Sequence, residues 1–114
     1  MEHHPWVKEI GSAITVCDRQ GVIIEMNDVA INQFKKEGGK ALLGSNLLDC
    51  HPEPARTKLK ELMDQQMLNI YTIEKKGIRK LIYQTPWYQN GQYQGFVEMS
   101  VILPEIIPHF KRQS

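Results

Sequence analysis

The chain has 114 residues, enough for one folded domain with its own core and too few for two. Fourteen Lys and Arg against thirteen Asp and Glu leave a net charge of +1, so no global field recommends nucleic acid as a partner. No apolar run approaches the roughly 20 residues of a membrane-spanning helix, and the start Met-Glu-His-His-Pro-Trp has no apolar signal core. The chain is therefore expected to be cytoplasmic, with no membrane partner and with its two cysteines, Cys17 and Cys50, reduced.

The first elements are a hairpin. Ala13 to Asp18 and Val22 to Met26 are β-branched runs joined by Arg19-Gln20-Gly21, a short turn in which glycine accepts a positive φ. Asn27-Asp28 offers side-chain oxygens to cap a helix of about three turns, with Val29, Ala30, Ile31 and Phe34 on its apolar side, until Gly38-Gly39 ends it. Lys40 to Gly44 and Ser45 to Cys50 read as two further short helical pieces. From Pro54 onward Ala55, Leu59, Leu62, Met63 and Met67 recur at three- and four-residue steps, which predicts the longest helix with one buried stripe. Pro52 and Pro54 suit its first turn, where no intrahelical donor is needed.

The remainder is strand: Asn69 to Glu74, Ile78 to Tyr88 and Tyr93 to Leu103. They are joined by Lys75-Lys76-Gly77 and by Gln89-Asn90-Gly91-Gln92, whose Asn-Gly pair is the strongest hairpin signal in the chain. Pro86 removes one backbone donor and predicts a bulge or an edge. The sum is an α+β domain: a five-stranded antiparallel sheet with short helices and one longer helix packed on one face. The expected limits are a flanking segment over 1–12, the domain over 13–103 and a tail over 104–114.

Three stretches carry a family resemblance. Cys17-Asp18-Arg19-Gln20-Gly21-Val22-Ile23 with Met26-Asn27-Asp28-Val29-Ala30 resembles the opening hairpin and first helix of PAS domains, Leu43-Gly44-Ser45-Asn46-Leu47 their approach to the later helices, and Tyr88 to Glu98 their last hairpin. Leu-Asp-Cys-His-Pro-Glu-Pro-Ala-Arg, residues 48 to 56, resembles a bacterial PAS subgroup with a Cys-His-Pro entrance to the long helix. The resemblance implies a non-enzymatic sensor or protein-interaction module. In such a module a pocket holds a small molecule and couples its presence to a homodimer or to a partner signalling protein. Many PAS domains finish on an Asp-x-Thr junction; here Leu103-Pro104-Glu105 stands instead.

Candidate site residues follow from these elements. Phe34, Leu43, Leu48, Tyr71, Ile73, Ile82, Trp87, Val97 and Met99 are expected to point inward as pocket wall or plain core, with Tyr71, Gln84 or Trp87 supplying polar contacts. His51 reads either as a pocket or heme ligand or, with Asp49, as a cap on the amides of the helix entrance. Cys50 beside it raises a redox alternative. The chain has none of the sequence motifs of hydrolases, phosphate loops or zinc proteases. Cys17, Cys50, His51 and His109 lack metal-binding spacing, and His3 and His4 sit at the terminus, so neither catalysis nor a metal is expected and the cofactor stays open.

Overall fold

A computed structural model describes residues 4–113 of the chain. After a one-turn helix α1 (Pro5–Lys8), strands β1 (Ala13–Asp18) and β2 (Ile23–Met26) pair antiparallel. The turn between them is organised by Asp18, whose Oδ1 accepts from the amides of Gln20 and Val22 at 2.9 and 3.0 Å. Gly21 there takes φ +87°, the positive value its position in the turn predicts.

Helix α2 (Asp28–Gln33) is capped as predicted, by Asn27. Its Oδ1 accepts from Ala30 N at 3.0 Å and Ile14 N at 2.9 Å, and its Nδ2 donates to the carbonyls of Val7 and Ser12 at 3.1 and 2.7 Å. One buried amide thus ties α1, β1 and α2 together. Asn27→Ala removes the cap and strands several buried backbone groups, so it is expected to cost about 2–4 kcal/mol, read as a lowered urea midpoint at unchanged slope. A loss under about 0.5 kcal/mol would mean that water replaces the side chain at no cost. The helix itself is six residues long, shorter than the predicted three turns. From Phe34 the chain tightens into 3-10 turns at Lys35–Glu37 and Gly39–Leu42, hinged on Gly38 at φ +124° and Gly39 at φ +54°.

A third 3-10 turn, Leu47–Cys50, leads to α3 (Ala55–Gln65), which buries Leu59, Leu62 and Met63. The helix stops at Gln66, where φ turns to +53°, so Met67 leaves the predicted stripe and is half exposed. Strands β3 (Asn69–Lys75), β4 (Ile78–Gln89) and β5 (Gln92–Ile102) complete the sheet, in the order β2-β1-β5-β4-β3 with all pairs antiparallel. Lys76-Gly77 and Asn90-Gly91 have positive φ at both central residues, the hairpin turn that matches strand twist. Pro86 lies beyond the last β3 pair, Asn69 with Gln84, and pairs with β5 alone; the register shifts just after Trp87. Among the described residues no helix is long and apolar enough to cross a membrane.

Directly paired residues of antiparallel strands share a face. The inner face, under the helices, carries Cys17, Phe96 and Ile82, and the row Asn69, Gln84, Glu98, Thr15, Met26 runs across all five strands. Val97 pairs with Val16 and Thr85, and Met99 with Ile14 and Tyr83, so both lie on the outer face. Their predicted inward orientation is corrected by one residue of register. Trp87, paired with Gly95, alternates onto that outer face as well, and its indole N–H donates to the Cys17 carbonyl at 3.0 Å.

Candidate functional site

The inner face of the sheet holds a chain of hydrogen bonds among polar side chains. His51 follows the 3-10 turn Leu47–Cys50, which Asn46 caps by accepting from Leu48 N at 3.0 Å. This places the imidazole over the middle of the sheet. Its Nδ1 lies 3.0 Å from the Leu47 carbonyl and its Nε2 3.1 Å from Glu98 Oε2. The same carboxylate oxygen accepts from Gln84 Nε2 at 2.8 Å, and Gln84 Oε1 accepts from Asn69 Nδ2 at 3.1 Å. The chain crosses β5, β4 and β3 in order, from the joint before α3 to the sheet edge.

Both ring nitrogens of His51 face acceptors, which favours the doubly protonated ring opposite an ionised Glu98. For His51, burial opposes the charge, and the bond and charge of Glu98 with the Leu47 carbonyl outweigh it, holding the imidazole above the usual histidine value. For Glu98, burial likewise opposes ionisation, and His51 and then Gln84 hold the carboxyl below the usual glutamate value. The side chains are only 13% and 11% exposed, so water screens the pair little. His51 is thus no cap, contrary to one reading of the sequence. Glu53 serves α3 instead, accepting from Thr57 N at 2.8 Å, while Asp49 pairs with Arg56 at the surface.

A cavity of about 400 Å³ opens beside this chain, between α3 and the β3–β4 ribbon. Pro54, Ala55, Lys58 and Leu59 form one wall, and Asn69, Tyr71 and Gln84 the other. Burial, then the charge of Glu98, pushes the Tyr71 phenol up, so it stays a donor at neutral pH. Of the residues singled out in the sequence, Tyr71 and Gln84 line the cavity, and His51 stands behind Gln84 through Glu98. Ile82 is buried beside Tyr71, while Phe34 and Leu48 pack on the core cluster. Leu43 is 39% exposed and borders a different cleft, with Val7, Met26 and Ile31; Ile73 is 43% exposed on edge strand β3. Glu98 and Asn69 were missed by the sequence reading. Strand alternation alone turns Glu98 away from the core, so no local signal in the sequence names it.

The thiols are not activated. Burial raises Cys17 to about 11, and burial followed by the charges of Asp49, Glu98 and Glu37 raises Cys50. His51, spent on Leu47 and Glu98, is not a base for its neighbour. Among the described residues no three His, Cys, Asp or Glu side chains are placed to hold a metal ion, and His3 lies outside those residues. Ser100 Oγ, on the inner face opposite Ile82, is the one buried side-chain polar atom among the described residues without a hydrogen-bond partner.

No family model matches the chain, and no curated protein matches it. Solved structures do. The Aer2 receptor from Vibrio cholerae, a dual PAS-heme oxygen sensor, is 15% identical with a TM-score of 0.64, over 82% of this chain and 95% of that one. The PAS domain of BvgS from Bordetella pertussis is 17% identical with a TM-score of 0.66, over 87% and 82%. The PAS domain of the histidine kinase ThkA is 21% identical with a TM-score of 0.61, over 79% and 97%. At these identities the likeness is one of fold, and it agrees with the strand order, the all-antiparallel pairing and the one-sided helical layer. The chain has the PAS fold.

Proposed function

We propose that the chain is a cytoplasmic, non-enzymatic sensory module. A small molecule in the cavity between α3 and the β3–β4 ribbon biases the inner-face polar chain, and through the sheet the outer face, where a second copy or a partner signalling protein docks. The observation that carries this reading is the junction of cavity and network: Asn69 and Gln84 line the one and belong to the other. The outer face, with Ile14, Val16, Val97 and Met99, is the apolar surface for association, and Trp6 and Ile10, 67% and 37% exposed ahead of β1, add apolar surface of their own. That the neighbours in fold include receptor and histidine-kinase PAS domains favours a signalling role.

The alternative is a heme- or redox-responsive regulator using His51 or Cys50, and the Vibrio cholerae neighbour is a heme sensor. The geometry favours it less. An imidazolium has no lone pair for iron, so ligation requires breaking the bond to Glu98 and removing a proton, and the Cys50 thiol is shifted away from thiolate.

Native mass spectrometry of protein purified from its own host tests both readings in one preparation. The expected result is a dimer carrying a small molecule that Gln84→Leu loses, with no Soret band in the visible spectrum. A bare chain without added mass removes the ligand reading, and a Soret band abolished by His51→Ala replaces it with heme.

A further inference from the structure

The hydrogen-bond chain has a direction, and that direction reaches the cavity. An ionised carboxylate only accepts, so Glu98 Oε2 obliges Gln84 to turn its amide nitrogen toward β5. Gln84 Oε1 then faces β3 and obliges Asn69 to present its nitrogen, at 3.1 Å. Moving the proton from His51 to Glu98 changes nothing downstream, because Oε2 still has a lone pair for Gln84. Asn69 is left with its carbonyl oxygen as the unassigned end of the relay, on a residue that lines the cavity.

We infer that Glu98, clamped by His51, is a positioning residue that sets the polarity of the cavity wall through Gln84 and Asn69, so that the cavity selects small, largely apolar molecules bearing a hydrogen-bond donor. This rests on the reading of the cavity as a ligand site, and it adds the class of ligand and the residue that decides it. Lys58 and Tyr71 line opposite walls, and their donors lie outside the relay. Asn69 Oδ1 is the side-chain amide acceptor that the relay leaves over. Without Glu98 nothing prevents Gln84 from reversing, and Asn69 with it, so that the same wall offers an N–H instead. Amide reversal exchanges donor for acceptor with almost no change of shape, which makes it a test of polarity separate from a test of packing.

The test is made by NMR on the full chain labelled with ¹⁵N, with phenol as the donor probe and anisole, which only accepts, as its control. In the unmodified protein the side-chain NH₂ protons of Gln84 and Asn69 are expected to exchange with water about tenfold more slowly than those of a surface amide such as Gln92, since one proton of each is held. Phenol is expected to shift the Asn69 signals at concentrations about tenfold below those anisole needs, the ratio one good hydrogen bond gives. In Glu98→Met both the protection of Asn69 and the preference for phenol disappear, while backbone protection along β4 and β5 persists. If that variant does not fold, Gln84→Leu leaves the His51–Glu98 pair whole and breaks only the next link, with the same expected loss at Asn69. Surface-like exchange of both amides in the unmodified protein, or an undiminished phenol preference in either variant, overturns the relay. If neither probe shifts any signal although the two amides are protected, the relay stands, and it is the ligand reading, with its donor class, that fails.

Discussion

Gly95→Ala is expected to destabilise the domain by about 2–6 kcal/mol, a large part of what holds a domain of this size together. Two independent terms contribute. The backbone at Gly95 sits at φ +148°, where a side chain is strained whatever the space. An added Cβ would also overlap the Cys17 carbonyl oxygen and stand 2.7 and 2.9 Å from the Asp18 carbonyl carbon and Cα. All of these are main-chain atoms of the neighbouring strand, so no side chain can swing aside, and β1 must part from β5 at the Asp18–Gly95 pair. Separation there exposes Cys17, which is fully buried, and withdraws the carbonyl that receives the Trp87 indole. Gly91→Ala is the internal control: it has positive φ, +78°, and open space around the position, so only a backbone cost of about 1 kcal/mol applies. Urea midpoints separate the two, and a Gly95→Ala loss no larger than that of Gly91→Ala would show that the strand contact yields without cost.

The contrast between those glycines marks what the sequence makes legible. Gly91 follows Asn90 between two β-branched runs, a local signal that names its own turn, and Gly21 and Asn27 announce themselves in the same way. Such turn and cap chemistry is short-ranged, so the element types and the hairpin partners follow from it, while the pairing of β1 with β5 does not. Gly95 answers to Cys17, seventy-eight positions away along the chain, and nothing in its neighbours reveals that approach.

Orientation of the strands is hidden for a similar reason. In Phe96-Val97-Glu98-Met99-Ser100-Val101 the alternation gathers Val97, Met99 and Val101 on one side, which reads as the buried side. The helices instead cover the side with Phe96, Glu98 and Ser100, because His51 and Gln84 satisfy the carboxylate there. The aliphatic set is left on the outer face. Hydrophobic alternation finds strands well, and it assigns faces only where one face alone is apolar. His51 was legible as a residue of interest, and its partner was not, since forty-seven residues separate them.

That partner decides the second large effect. His51→Ala removes the cation and leaves Glu98 buried among Gln84 and apolar neighbours, and the expected cost is about 3–5 kcal/mol, the range for halving a buried pair. Replacing both, His51→Leu with Glu98→Leu, removes the stranded charge together with the desolvation of its partner, so the double variant is expected to recover more than half of that loss. The pH profile carries the same information with a definite sign. His51 is held above its ordinary value, near 6.5, so its contribution is complete below that pH and is lost as the pH rises through the higher folded-state value. Glu98 is held below its ordinary 4.5, so its contribution is complete above that pH and is lost as the pH falls through the lower folded-state value. Stability attributable to the pair is therefore flat between about 4.5 and 6.5 and falls away on both sides, the alkaline limb belonging to His51. In His51→Ala the alkaline limb vanishes and the acid limb reverses: Glu98 without a cation takes up a proton more readily when folded, so acid stabilises the variant. Denaturant midpoints measured from pH 4 to 9 for the three proteins read these slopes directly. An alkaline limb that survives in His51→Ala would assign the titration to some other group and leave the pair a neutral hydrogen bond, with no part in setting the charge at the centre of the sheet.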